Sequence, residues 1–153
     1  MTADALALMP YLTQLSNALN RGQLAERAMR ATGVQLDRPA LSILVALHMS
    51  DRPLRIGEIA DRMQVVGPHV TRQVQELERR KLVQRISDPQ DRRASLIEPT
   101  PEGAAAAARY VETILSWLTG AIAHWPDQDR QDFTSLLARF TTDLTTHLAT
   151  LED

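Results

Sequence analysis

The residues able to do covalent or metal chemistry are few and scattered. Cysteine is absent, which removes disulfides, thiolate metal ligands and thiol nucleophiles together. His48, His69, His124 and His147 are the four histidines. They fall on four different predicted helices, and none pairs with another at the i, i+4 spacing of a helical metal site. No glycine-rich phosphate loop and no G-x-S-x-G elbow occurs. Asp127, Asp129 and Asp132 cluster, but at a helix start, where the dipole alone favours acids. An enzyme, a metal site or a bound cofactor is therefore not expected. Cations and amides do recur at a useful spacing. Arg72, Gln75 and Arg79 follow one another at three and four residues, and Arg92-Arg93 occupies a turn. Guanidinium and amide groups set out this way can pair with base edges or phosphates.

The stretch Leu54 to Glu98 must position those groups. Ile56, Ile59, Ala60 and Met63 stand at i, i+3, i+4 and i+7, the apolar stripe of one short helix. After the link Gln64 to Val66, a second helix repeats the pattern with Val70, Val74 and Leu77. Opposite that stripe lie Pro68, Arg72, Gln75 and Arg79, with His69 and Glu76 to one side and Thr71 further round on the other. Two helices this close have the geometry of a helix-turn-helix, whose second helix enters the major groove of DNA. Val83 to Ser87 and Ala94 to Glu98 then alternate as two short strands, joined through Asp88-Pro89-Gln90-Asp91, strong turn chemistry. A hairpin beside a helix-turn-helix is a winged helix, and an arginine at its tip can reach a narrow minor groove.

Charge distribution agrees. The whole chain of 153 residues carries a net −2. Between Asp51 and Arg93, however, ten Lys/Arg face seven Asp/Glu, a net of +3, and the remainder holds seven against twelve, a net of −5. A mildly basic segment sits between acidic flanks. With 44% hydrophobic residues the chain can bury one ordinary core, within the range of about 50 to 200 residues per domain. No apolar run approaches the roughly 20 residues that span a bilayer, and the N-terminus lacks a basic region followed by an apolar block. A cytoplasmic protein with no membrane partner is expected.

From Arg55 to Gly103 the chain resembles the MarR family of bacterial winged-helix transcription regulators. IGEIADRM, HVTRQVQELERRKLVQR, the DPQDRR wing and the closing TPEG carry the resemblance. It departs where Val66-Gly67-Pro68-His69 replaces the usual Ser or Thr, where Arg80-Lys81 replaces a common helix-ending glycine, and where Pro99 replaces a common leucine. The resemblance implies a mainly α fold: a winged helix-turn-helix over 37–100 with a small β-hairpin wing, flanked by helical dimerisation regions over 1–36 and 101–153. It also implies a homodimer on double-stranded DNA, often a repressor released by a small molecule.

On that reading Pro68, His69 and Arg72 face the groove in the first two turns of the recognition helix, with Thr71 on its flank. Arg72 pairs in bidentate fashion with guanine O6 and N7, a contact of about 1–3 kcal/mol, and Glu76, four residues on, restrains it. Gln75 reaches adenine or a phosphate. Arg79, with Arg80 and Lys81, lies nearer the phosphates. Arg93 enters the minor groove, oriented by a hydrogen bond from its guanidinium to Asp91. Arg92 touches the backbone, and Arg85 holds the wing or a phosphate. A winged helix that binds another protein instead of DNA is the competing reading, since fold does not fix function. The outward basic set on both helix and wing argues against it.

The flanks read as helices. Met9 to Arg30 forms one long helix with Leu8, Leu12, Leu15 and Leu19 on a stripe, Pro10 in its first turn, Gly22 in its middle and Thr32-Gly33 as its stop. Asp37 caps the next, which buries Leu41, Leu44, Val45 and Leu47. Thr100-Pro101-Glu102 starts a helix running to about His124. Its run Ala104 to Ala108 reads equally as helix propensity and as tight packing at a dimer interface. Trp117 and Trp125 read as core or interface residues. In the last helix Phe133, Leu136, Leu137, Phe140, Leu144 and Leu148 form an apolar edge too long for one small monomer, and a second subunit supplies the missing surface.

Overall fold

The computed structural model describes residues 3–20, 23–91 and 93–151. In chain order they form α1 (Ala3–Asn20), α2 (Gln23–Thr32), α3 (Arg38–His48), α4 (Ile56–Met63), α5 (Gly67–Arg79), β1 (Val83–Ser87), β2 (Ser95–Pro99), α6 (Pro101–Ala121) and α7 (Asp127–Ala149). The mainly α winged-helix architecture with one two-stranded antiparallel hairpin is the fold expected from the sequence. The chain groups into two compact units, Met1–Leu115 and Ser116–Asp153.

The first unit closes around a single core. Leu44, Leu54, Ile59, Val70, Val74, Leu77 and Ile97 have no exposed surface, and each such side chain contributes about 1.5–3 kcal/mol of burial. Ile43 joins them at the α3 face, a residue the sequence reading left out, while Val45 is only partly buried against the cluster. α3 starts as its cap demands: Asp37 Oδ1 accepts the Ala40 N–H at 2.9 Å. Leu54 exchanges two backbone hydrogen bonds with Ile97, at 3.0 and 2.7 Å, and so lays a third short extended segment beside the hairpin.

α4 and α5 both end in left-handed residues that are not glycine. Gln64 has φ 53° and Lys81 φ 58°. After α5 the Leu82 N–H bonds Leu77 O at 2.9 Å and the Lys81 N–H bonds Glu78 O at 2.8 Å, the paired bonds of a Schellman ending. The stop that glycine usually makes is thus made by Lys81. Glycine is required one turn into α6 instead, where a Cβ on Gly103 would stand 1.8 Å from the Leu82 carbonyl oxygen. Thr100 ties the same junction: its hydroxyl accepts the Gly103 N–H at 3.1 Å and donates to Lys81 O at 2.7 Å. Ala106 and Ala107 follow into the core cluster, so part of the alanine run is packed within this chain.

Three boundaries differ from expectation. Met9 to Arg30 is not one helix, because α1 begins at Ala3, runs through Pro10 in its interior and ends at Asn20 before α2 begins. Leu19 and Ala28, the buried residue of α2, are nine residues apart, half a turn out of phase on a straight helix. Gly22 lies outside the described residues. β2 runs one residue later than expected because the Ala94 N–H is taken by Asp91 O at 2.9 Å; Val83 then faces Pro99 at the strand end, where a missing N–H is tolerated. α6 stops at Ala121, since Ile122 and Ala123 bond back to Thr119 and Gly120 in tight turns.

In the second unit Trp125 and Phe133 meet edge to face with centroids 5.5 Å apart, and α7 buries no residue. Asp127 pairs with Arg130, and Asp132 accepts from Gln128, so two of these three acids make local helix contacts. No helix of the described residues is long and apolar enough to cross a membrane.

Candidate nucleic-acid interface

α5 separates its two faces cleanly. Val70, Val74 and Leu77 are fully buried. Pro68, His69, Arg72, Gln75 and Arg79 are all exposed and share the outer face. The helix starts with Pro68 in its first turn and no side-chain cap on Val66, consistent with the missing hydroxyl in the sequence. Thr71 is half-buried, and its hydroxyl donates to Gly67 O at 3.1 Å, which commits it to the helix.

Two ion pairs differ from those expected. Glu76 does not restrain Arg72; it takes Arg79 instead, with guanidinium contacts of 2.9 and 2.6 Å. An acid N-terminal to its base is the favoured orientation on a helix, and Arg79 beside it holds the Glu76 carboxyl below the usual carboxylate range. Among the described residues Arg72 meets no carboxylate and is left to project outward. Arg80, unlike Arg72, is engaged within the chain, its guanidinium donating to the Gln35 carbonyl oxygen.

The wing is fixed from both ends. At its root the Arg85 Nε donates to both oxygens of Glu78, at 3.0 and 2.9 Å, which ties β1 to α5. In the loop Asp91 does not orient the Arg93 guanidinium. Its Oδ1 accepts the Arg93 backbone N–H at 3.0 Å, a local turn contact that shapes the loop, and Arg93 itself is exposed. Arg92 lies outside the described residues.

Two residues matter here that the sequence reading missed. Asp88, read as turn chemistry alone, is 5% exposed. Its Oδ1 accepts the Gln90 N–H at 2.8 Å and its Oδ2 accepts Arg55 Nε at 2.8 Å. The Gln90 N–H first and Arg55 second hold this carboxyl below its ordinary range. Arg55 precedes α4, and its own N–H is accepted by Glu58 Oε2 at 2.8 Å. Glu58 in turn takes the Arg52 guanidinium. Only the acidic half of the α4 pattern had a sequence signal, the Glu three residues after the cap position; a partner 33 residues away has none.

Known proteins resemble this chain in sequence and in fold. Residues 34–94 match the model of the MarR family. YxaD of Bacillus subtilis (strain 168), described as an uncharacterized HTH-type transcriptional regulator, is 27% identical over 126 residues, covering 82% of this chain and 87% of the relative. A MarR family protein from Bacillus stearothermophilus superposes with a TM-score of 0.76 at 19% identity, over 95% of this chain and 99% of that one. MepR of S. aureus, solved in complex with DNA, gives 0.61 at 20% identity, over 88% and 98%. The helix-turn-helix and most of the wing thus fall within the stretch that matches the MarR family of winged-helix transcriptional regulators, and the chain as a whole has the fold of a solved MarR family protein.

Proposed function

We propose that the chain acts as a homodimeric repressor on a pseudo-palindromic operator in double-stranded DNA, its own promoter among the candidates, and that it works in the cytoplasm at the nucleoid. What supports this above all is the pairing of two outward basic surfaces, the α5 face and the wing loop. Residues 37–100 form the DNA-binding region, and 1–36 with 101–153 the dimerisation region. Arg72 is the base reader, with Pro68, His69 and Gln75 beside it in the major groove and Thr71 at the flank. Arg79 lies further along the helix toward phosphate. Arg93 takes the minor groove, Arg92 touches the DNA backbone, Asp91 shapes the loop through the Arg93 N–H, and Arg85 braces the wing from behind. MepR in complex with DNA is a solved instance of this fold on a duplex.

Release by a small molecule fits a cavity of about 300 Å³ between α1, α2, α3 and α6, at the lower end of ligand-site volumes. Leu19, Leu41, Val45 and Ile114 give it an apolar wall, and Arg38, Ser42 and Tyr110 supply polar groups. The effector is therefore amphipathic, an apolar body with one hydrogen-bonding or anionic end.

The test is a fluorescence-anisotropy titration with the DNA upstream of this chain's coding sequence, at several salt concentrations, against an unrelated duplex. Wild type should bind the upstream DNA tightly and lose affinity as salt rises. Arg93→Ala should weaken binding by about 1–3 kcal/mol and lower the salt slope by about one. Equal, weak binding to both duplexes, unchanged by the substitution, would reject the reading and leave the winged helix as a protein-binding module.

A further inference from the structure

The wing loop, residues 88–94, carries Arg93 and is nearly self-contained. Asp88 N–H bonds Ala94 O at 3.2 Å, Ala94 N–H bonds Asp91 O, and the Gln90 and Arg93 N–H groups bond the Asp88 and Asp91 carboxylates. Among the described residues one side-chain ion pair links this loop to the helix-turn-helix: Arg55 to Asp88, through both Nε and a terminal nitrogen. A cleft of about 540 Å³ opens between the loop base and the α4 start, bordered by Arg52, Pro53, Glu58, Pro89, Gln90 and Leu96. The ion pair spans it. Arg55 is itself held, because Glu58 accepts its backbone N–H while gripping Arg52. The chain of contacts therefore runs from the α3–α4 link through the first turn of α4 into the first residue of the loop.

We infer that Arg55 and Asp88 are positioning residues for DNA readout: their ion pair sets the angle between wing and recognition helix, so that Arg93 and α5 engage the duplex together. This rests on the DNA-binding reading above and adds to it a reason for a buried acid on a surface that meets phosphates. Near a polyanion, an aspartate is an electrostatic cost. Removing it should tighten binding if charge alone mattered. A positioning role gives the opposite sign, because freeing the wing makes binding order it again.

Asp88→Asn separates the two, since the amide keeps an oxygen for the Gln90 N–H while losing the charge that grips Arg55. We expect its Kd for the operator to rise about tenfold, within the range for losing a groove contact. Hydroxyl-radical footprints should lose the minor-groove protection while keeping that under α5. Adding Arg93→Ala to Asp88→Asn should cost less than about twofold more, because the two act through one contact. Arg55→Lys, which keeps the charge but not the fork, should fall between wild type and Asp88→Asn, and it serves as the test if Asp88→Asn proves unfolded by thermal melting. Equal or tighter binding by Asp88→Asn, an unchanged footprint, or effects of the two substitutions that multiply in full would overturn the proposal. Wild type that prefers no duplex would overturn the DNA reading along with it, whereas wild type that binds its operator while Asp88→Asn binds equally well rejects the positioning role alone.

Discussion

α5 and α7 carry similar apolar stripes and end in opposite states. On α5, Val70, Val74 and Leu77 are fully buried by α3, α4 and the hairpin. On α7, Leu136 is 54% exposed and even Phe140, the best covered of its stripe, is 40% exposed. α1 resembles α7, with Leu8, Leu12, Leu15 and Leu19 all exposed. Periodicity records that a face is made for burial; it does not record what buries it. The helix-turn-helix finds its cover within the chain. A row of large exposed apolar residues on each of two terminal helices exceeds what a soluble monomer ordinarily leaves open, which is the ground for giving those helices to a homodimer in the proposed function.

The largest effects should break this contrast most directly. Leu77→Ala opens a cavity in a closed core and should cost about 2–5 kcal/mol of unfolding free energy, a loss independent of protein concentration. Leu137→Asp on α7 touches no such core. It should leave the circular dichroism of the monomer intact, shift sedimentation equilibrium from dimer to monomer, and abolish any concentration dependence of the melting temperature. A Leu137→Asp protein that sediments like wild type would mean the α7 stripe is not the dimer surface.

Glycine substitutions sharpen the same comparison. Gly103→Ala forces a methyl group into the Leu82 carbonyl, and backbone cannot move aside as a side chain can. It should cost about 3 kcal/mol, the upper end of overpacking. At Gly120 the added methyl meets nothing within 4 Å, so Gly120→Ala should gain about 0.5 kcal/mol from helix propensity. Opposite signs from one substitution type on one helix, read by chemical denaturation, would mark where the closed region ends. A loss at Gly120 would instead show that a partner covers it.

The sequence disclosed most where local rules and burial agree. α4 and α5 emerged with their link and their buried residues because each stripe is short, regular and bounded. β1 emerged complete, and Asp37 and Thr100 emerged as caps because a side chain three residues from its donor is a local event. The failures are tertiary. The break between α1 and α2 has no local signal stronger than one glycine, which a single helix also tolerates. Gly103 looks like a helix weakness until the Leu82 carbonyl is placed beside it. Within the candidate site, the exposed α5 set could be read from 100° steps, but the charge partners could not. Glu76 had Arg72 and Arg79 within reach on one helix, and Asp91 had a backbone N–H nearer than the guanidinium of Arg93. Nothing local to DPQD announces that Asp88 is buried against Arg55.

The smallest effect is a pH dependence confined to the α4 start. The Arg52 guanidinium, and after it the Arg55 N–H, hold the Glu58 carboxyl down to about 2, against about 4.3 for a free glutamate. The folded state thus binds this proton more weakly than the unfolded one. The stabilisation is complete above the free value, erodes as pH falls below it, and is gone once pH has passed the folded-state value of about 2. Glu58→Gln keeps an oxygen for the Arg55 N–H but forfeits the ionic part at every pH. Melting temperatures of wild type and Glu58→Gln should therefore differ at pH 6, with wild type higher, and converge as the pH is lowered toward 2. The gap should also narrow in high salt, since Arg52 is largely solvent-facing and such pairs are screened. A gap that stays constant from pH 6 to pH 2.5 would assign the stabilisation to packing of the side chain and remove the charge from the α4 start.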